Sequence, residues 1–89
     1  MADAHVLQVS VVSADQEVWS GEAEMVTAMT LEGSLGVLAG HQPVLAVLAE
    51  GEVGITLPGG ERIAADASEG FLSVDHDVVT VVASKAALV

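Results

Sequence analysis

The chain has 89 residues, 52% of them hydrophobic, and 13 acidic residues against only Arg62 and Lys85 give it a formal net charge of -11 at pH 7. That balance excludes nucleic acid and anionic lipid headgroups as partners, because both are held by Lys and Arg that displace counterions. With no cysteine, neither a disulfide framework nor a thiolate zinc site is available.

The apolar content is too high for a disordered segment, and no apolar run approaches the roughly 20 residues of a membrane-spanning helix. The N terminus has no basic region, and Gln8 and Ser10 interrupt its apolar stretch, so it does not read as a signal peptide. The expectation is one soluble, cytoplasmic domain. Its core must come from Val, Ala and Leu, since Trp19 and Phe71 are the only aromatics.

Leu7, Val9 and Val11 alternate with Gln8 and Ser10, the period of a half-buried strand. A turn is expected at Ser13, Ala14 and Asp15. Residues 18–21 then read as a short extended piece and 22–30 as a strand. Its alternation slips, which a bulge near Met25 would reconcile. Residues 32–43, EGSLGVLAGHQP, hold three glycines and a proline and read as a loop whose length itself suggests function.

Residues 44–49 follow as a continuous apolar strand. Val53, Ile55 and Leu57 then alternate with Glu52, Gly54 and Thr56, Pro58-Gly59-Gly60 turns the chain, and 61–67 returns as a hairpin partner. A last pair, 70–74 and 78–83, flanks Asp75-His76-Asp77. Strands recurring at this spacing with turn signals between them mark an all-β sandwich or barrel.

Few residues point to chemistry. Gly33, Gly36 and Gly40 are not followed by the Lys and Ser or Thr of a phosphate loop, nor by a helix. Asp75-His76-Asp77 reads as a solvated turn, because three consecutive residues rarely converge on one metal. His5, His41 and His76 have no serine nucleophile in a recognisable setting, Ser13, Ser34 and Ser68 lie in turn-like surroundings, and Glu22 and Glu24 share a solvent-facing strand face. No catalytic residue, metal or cofactor is expected. Leu35, Val37 and Leu38 are apolar in a glycine-shaped loop stiffened by Pro43, and such loops are commonly docking surfaces.

The segments VVSADQEVWSG, EGSLGVLAGHQPVL, EGFLSV and VTVVA, in that order, resemble the epsilon subunit family of the bacterial F-type ATP synthase over nearly the whole chain. The loop carries the most specific part of the likeness, in Gly33, Leu35, Gly36, Val37, Leu38, Gly40, His41 and Pro43. The resemblance implies an all-β, flattened β-sandwich of about ten short strands over residues 1–84, with 85–89 as a C-terminal stub. It further implies a non-catalytic rotor subunit in the central stalk of a proton-translocating enzyme, peripheral on the cytoplasmic face of the bacterial cell membrane, coupling gamma to the c-ring for ATP synthesis.

On this resemblance Glu32, Gly33, Ser34 and Leu35 face the c-ring, and His41, Gln42, Pro43 and Ala46 face gamma. The acidic surface suits basic patches on either partner. One buried face per strand implies a monomer when isolated.

Three positions depart from the family pattern. Ala39 replaces a proline, Glu69 stands where the first of two glycines is usual, and the sequence stops at Val89 where many members continue into a helical hairpin that inhibits hydrolysis and in some binds ATP. Neither property is expected here. The alternative is a generic β-sandwich protein-interaction module, which changes at Glu32 to Leu35 would leave without effect on coupled ATP synthesis. A small-molecule binder would need a concave apolar pocket with convergent polar groups.

Overall fold

A computed structural model describes residues 6–14 and 16–88. Residues 1–5, which include His5, together with Asp15 of the expected first turn and Val89 of the stub, lie outside the described residues. Among the described residues all the regular structure is β: β1 (Leu7–Val12), β2 (Glu17–Ala23), β3 (Met25–Thr30), β4 (Gly33–Leu38), β5 (Val44–Val47), β6 (Gly51–Thr56), β7 (Arg62–Asp75) and β8 (Val78–Leu88). The sheet order is β2-β1-β8-β7-β6-β3-β4, with β5 on the flank of β7. Every pairing is antiparallel except that of β1 with β8.

Among the described residues the strand count is eight rather than about ten, because two long strands each serve both layers. The first half of β8 lies between β1 and the second half of β7, with β5 beyond. Its second half pairs with residues 65–68 of β7, which leads on to β6, β3 and β4. The segment 85–89, set apart in sequence, thus enters β8 as far as Leu88.

The crossing between layers is legible in burial. In β7 the buried residues switch from Ala65 and Ala67 to Leu72 and Val74, an odd-to-even change that turns the strand over. The change falls at Glu69, whose φ of 58° is left-handed, and at Gly70. A Cβ on Gly70 would run into the Val82 carbonyl of β8, so the fold needs glycine at this crossing.

Both layers close on one core. Leu7, Val9, Val11, Leu72, Val74, Val79 and Val81 meet Val26, Val37, Val53 and Ile55. Each fully buried side chain of this kind contributes about 1.5–3 kcal/mol of transfer free energy. Trp19 is only half-buried and lies along β2 with its indole over Gly21, and Phe71 stays exposed.

Two further sequence expectations change. Residues 32–43 are not a loop, since Gly33–Leu38 is a regular strand in register with β3 and only 39–43 connect irregularly. Its glycines hid a strand whose inward residues are Leu35 and Val37. The slip near Met25 is a strand break rather than a bulge. At Glu24 the chain leaves β2, the partner of β1, and enters β3, the partner of β6, with the Glu24 amide donating to the Thr56 carbonyl over 2.7 Å. The hairpin expected at 52–67 is present, closed by the Leu57 amide on the Glu61 carbonyl at 2.7 Å.

Candidate functional site

The β3–β4 hairpin turns on Leu31 and Glu32. Thr30 fixes that turn, since its hydroxyl donates to the Gly33 carbonyl at 2.7 Å and accepts the Glu32 amide at 3.2 Å. Gly33 takes φ of 123°, where a side chain would be strained. A backbone clamp then ties the tip to the end of β5, with the Leu31 amide on the Val47 carbonyl at 3.0 Å and the Ala49 amide on the Met29 carbonyl at 2.9 Å. The tip is a fixed projection.

Of the residues assigned to the c-ring, Glu32, Gly33 and Ser34 are exposed on this tip, whereas Leu35 points inward and is half-buried against the core. The gamma set lies elsewhere. His41, Gln42 and Pro43 occupy the connection between β4 and β5, with the His41 amide on the Leu38 carbonyl at 3.1 Å and its Nδ1 at 2.7 Å from the Gln42 carbonyl. That connection is pinned to the β7–β8 turn by the Gly40 amide, which donates to the Asp77 carboxylate at 2.7 Å. Asp77 is therefore a strut, while Asp75 and His76 form an exposed pair at 2.6 Å.

The tip and this connection stand at opposite ends of β4, separated by about 17 Å at the rise of an extended strand. Ala46 belongs to neither end. It pairs with Leu72 in mid-β5 and is half-buried, so its neighbours Leu45 and Val47 form the outer surface there.

Those neighbours are what sequence reasoning missed. Leu45 and Leu31 are each 71% exposed, and Val47 and Phe71 stand directly opposite one another on the outer face at 55% and 42%. Tied together through the Leu31–Val47 backbone bond, they form an apolar strip beside a shallow groove of about 200 Å³ between the hairpin tip and β5. The signal was present in residues 44–47. A strand that is apolar on both faces but lies in one layer of a two-layer sandwich buries only one of them and shows the other outward.

Charge is distributed unevenly around these features. Arg62 lies over Gly54 on the outer face of the β6 layer, 3.4 Å from the Thr27 hydroxyl, and among the described residues neither it nor Lys85 forms an ion pair with a carboxylate. An open furrow of about 620 Å³ runs along the second half of β8 between Ser13, Glu50, Asp66 and Lys85.

Comparison with known proteins agrees with this architecture. Residues 6–89 match the family model described as ATP synthase, Delta/Epsilon chain, beta-sandwich domain. The chain is 46% identical over 82 residues to the ATP synthase epsilon chain of Micrococcus luteus, covering 92% of this chain and 90% of that one. To the epsilon chain of Frankia casuarinae it is 48% identical over 82 residues, covering 92% and 96%. In structure it is similar to a chain of the Euglena gracilis mitochondrial ATP synthase, solved with its OSCP, F1 and c-ring, at a TM-score of 0.89 and 26% identity. That match covers 99% of this chain and 56% of the Euglena chain, so this chain spans just over half of that relative.

Proposed function

As the chain belongs to the ATP synthase delta/epsilon family through its β-sandwich domain, we infer that it is a central-stalk rotor subunit of a proton-translocating F-type ATP synthase, coupling gamma to the c-ring for ATP synthesis. It does so without catalytic residues of its own. Its work is mechanical: a clamp between two turning bodies must resist shear, which favours a closed sandwich with surface anchors over a flexible tether.

The observation that carries this is the apolar strip of Leu31, Leu45, Val47 and Phe71, displayed on a protein whose core is already closed. Exposed apolar side chains held by backbone hydrogen bonds suit partner docking. The gamma contact takes that strip together with His41, Gln42, Pro43 and the backbone around Ala46, and the c-ring takes Glu32, Gly33 and Ser34, with Leu35 supporting the tip from inside. The separation of the two ends supports a part for each partner.

The charge of -11 disfavours self-association and suits a monomer in isolation. No helix among the described residues is long and apolar enough to cross a membrane. The subunit sits peripherally, on the cytoplasmic face of the bacterial membrane.

Proteoliposomes carrying the complete enzyme test the assignment. Leu45→Asp combined with Phe71→Ser is expected to release the subunit from gamma and to depress proton-driven ATP synthesis, while the circular dichroism spectrum stays unchanged. Unaltered gamma binding and synthesis in that variant would refute the clamp.

A further inference from the structure

Leu31 divides two hollows. On its β5 side is the apolar groove with Leu45 and Val47. On its other side is a second groove, about 510 Å³, lined by Leu31, Leu48, Ala49, Glu50, Ser68, Glu69 and Lys85. The second groove combines an apolar floor, from Leu31, Leu48 and Ala49, with two exposed carboxylates, Glu50 and Glu69, at its rim.

Its walls are fixed. Leu31 and Ala49 are held by the backbone bonds between the hairpin tip and the end of β5, and Leu48 donates to the Gly70 carbonyl at 2.9 Å. Glu69 is set by the layer crossing, with one carboxylate oxygen accepting the Ser84 hydroxyl at 2.9 Å and the other free of bonds within the described residues. Lys85 shares the groove yet makes no ion pair among the described residues, so both carboxylates remain available.

We propose that this groove receives a lysine or arginine side chain from a loop of the c-ring, its aliphatic stem on Leu31, Leu48 and Ala49 and its cationic head between Glu50 and Glu69. The assignment rests on the c-ring coupling given above and extends that contact beyond Glu32 to Ser34. Long basic side chains bury their stems on apolar surface while the head seeks anions, which is the order of features found from Leu31 outward. Charge favours such a guest twice over, through the local excess of carboxylate over ammonium and through the net charge of -11 that draws cationic loops in. An arginine head would bridge the two rim carboxylates. A neutral apolar guest would leave both rim carboxylates without a partner.

The test uses the complex of gamma with the full chain, captured on immobilised c-ring, with gamma alone as the baseline. Ala49→Lys, which puts a fixed cation on the groove floor, and the double variant E50Q/E69Q are compared with the unchanged chain at low and high salt. Retention of gamma by each variant is checked by gel filtration.

Each groove variant is expected to bind the ring about tenfold more weakly at low ionic strength while keeping gamma, and for the double variant the deficit shrinks as salt screens the lost charges. Ring binding that is unaffected in both variants, or a deficit in E50Q/E69Q that is independent of salt, would overturn the groove assignment and leave c-ring coupling standing. An unchanged chain that adds nothing to the baseline set by gamma alone would overturn c-ring coupling, and the groove assignment with it.

Discussion

The β7–β8 hairpin and the stretch from β3 to β5 have similar apolar residues but divide them differently between core and surface, although the hairpin too leaves Phe71, Val78 and Leu88 outside. Along β7 and β8, Leu72, Val74, Val79, Val81 and Ala83 all face inward, and the hairpin turns over at Glu69 and Gly70 so that both layers share it. From β3 to β5, Met29, Leu31, Leu38, Leu45 and Val47 remain exposed although inward positions such as Val26 and Val37 are fully buried. The hairpin is the frame, and the β3–β5 stretch is the surface it carries. Apolar content alone therefore does not predict burial; strand parity and edge position do.

The largest effect should come from the frame. In Gly70→Ala the new methyl meets the Val82 backbone, which cannot step aside as a flexible side chain would. A loss of about 3 kcal/mol is expected, lowering Tm by roughly 15 °C for a domain of this size. Thermal unfolding followed by circular dichroism measures it, and a shift of only a few degrees would mean that the two layers hold together without this crossing.

A paired truncation sharpens the contrast next. Leu72→Ala removes a fully buried side chain at the frame and should destabilise by about 2.5 kcal/mol. Leu45→Ala, at 71% exposure, should change stability by less than about 0.5 kcal/mol yet weaken gamma binding. Urea titration of both variants is sufficient, and equal losses would erase the division between frame and surface.

Much of the frame was legible in sequence. The alternation at Leu7, Val9 and Val11 and at Val53 and Ile55 identified inward faces, and the Pro58-Gly59-Gly60 turn located its hairpin, because these strands keep one parity from end to end. The long strands were cut short because they change parity at the crossing between layers, which a period-two pattern registers as an ending. Gly33–Leu38 was read as a loop because glycine at 33 and 36 weakens strand propensity, whereas pairing with β3 supplies the stability that propensity lacks. The apolar strip needed a pairing partner to be seen: only the register that sets Val47 opposite Phe71 shows that those side chains share an outer face.

At the far end of β4 the expected effect is smaller. Asp77→Ala deletes the acceptor for the Gly40 amide and leaves alanine at φ of 64°, a conformation that aspartate tolerates better. Destabilisation of about 1.5 kcal/mol is expected, with faster hydrogen exchange at Gly40. Asp77→Asn, which keeps a side-chain oxygen, should recover most of it. Equal exchange at Gly40 in all three proteins would show that the connection is held without Asp77.

The smallest effect concerns Glu69, where frame and surface meet. Its left-handed backbone costs about 1–2 kcal/mol relative to glycine. Glu69→Gly relieves that strain but frees the unfolded chain, which offsets about 0.4–1 kcal/mol, and it forfeits the hydrogen bond from Ser84, worth about 0.5 kcal/mol at an exposed site. These terms nearly cancel, so E69G should gain no more than about 0.5 kcal/mol. The informative quantity is the coupling. Ser84→Ala should cost about 0.5 kcal/mol with Glu69 present and nothing in the E69G background. Equal costs in both backgrounds would mean that the Ser84 hydroxyl is held by the Ser68 carbonyl, 3.4 Å away, rather than by the carboxylate. Glu69 would then owe its place to the surface it presents and add nothing to the frame.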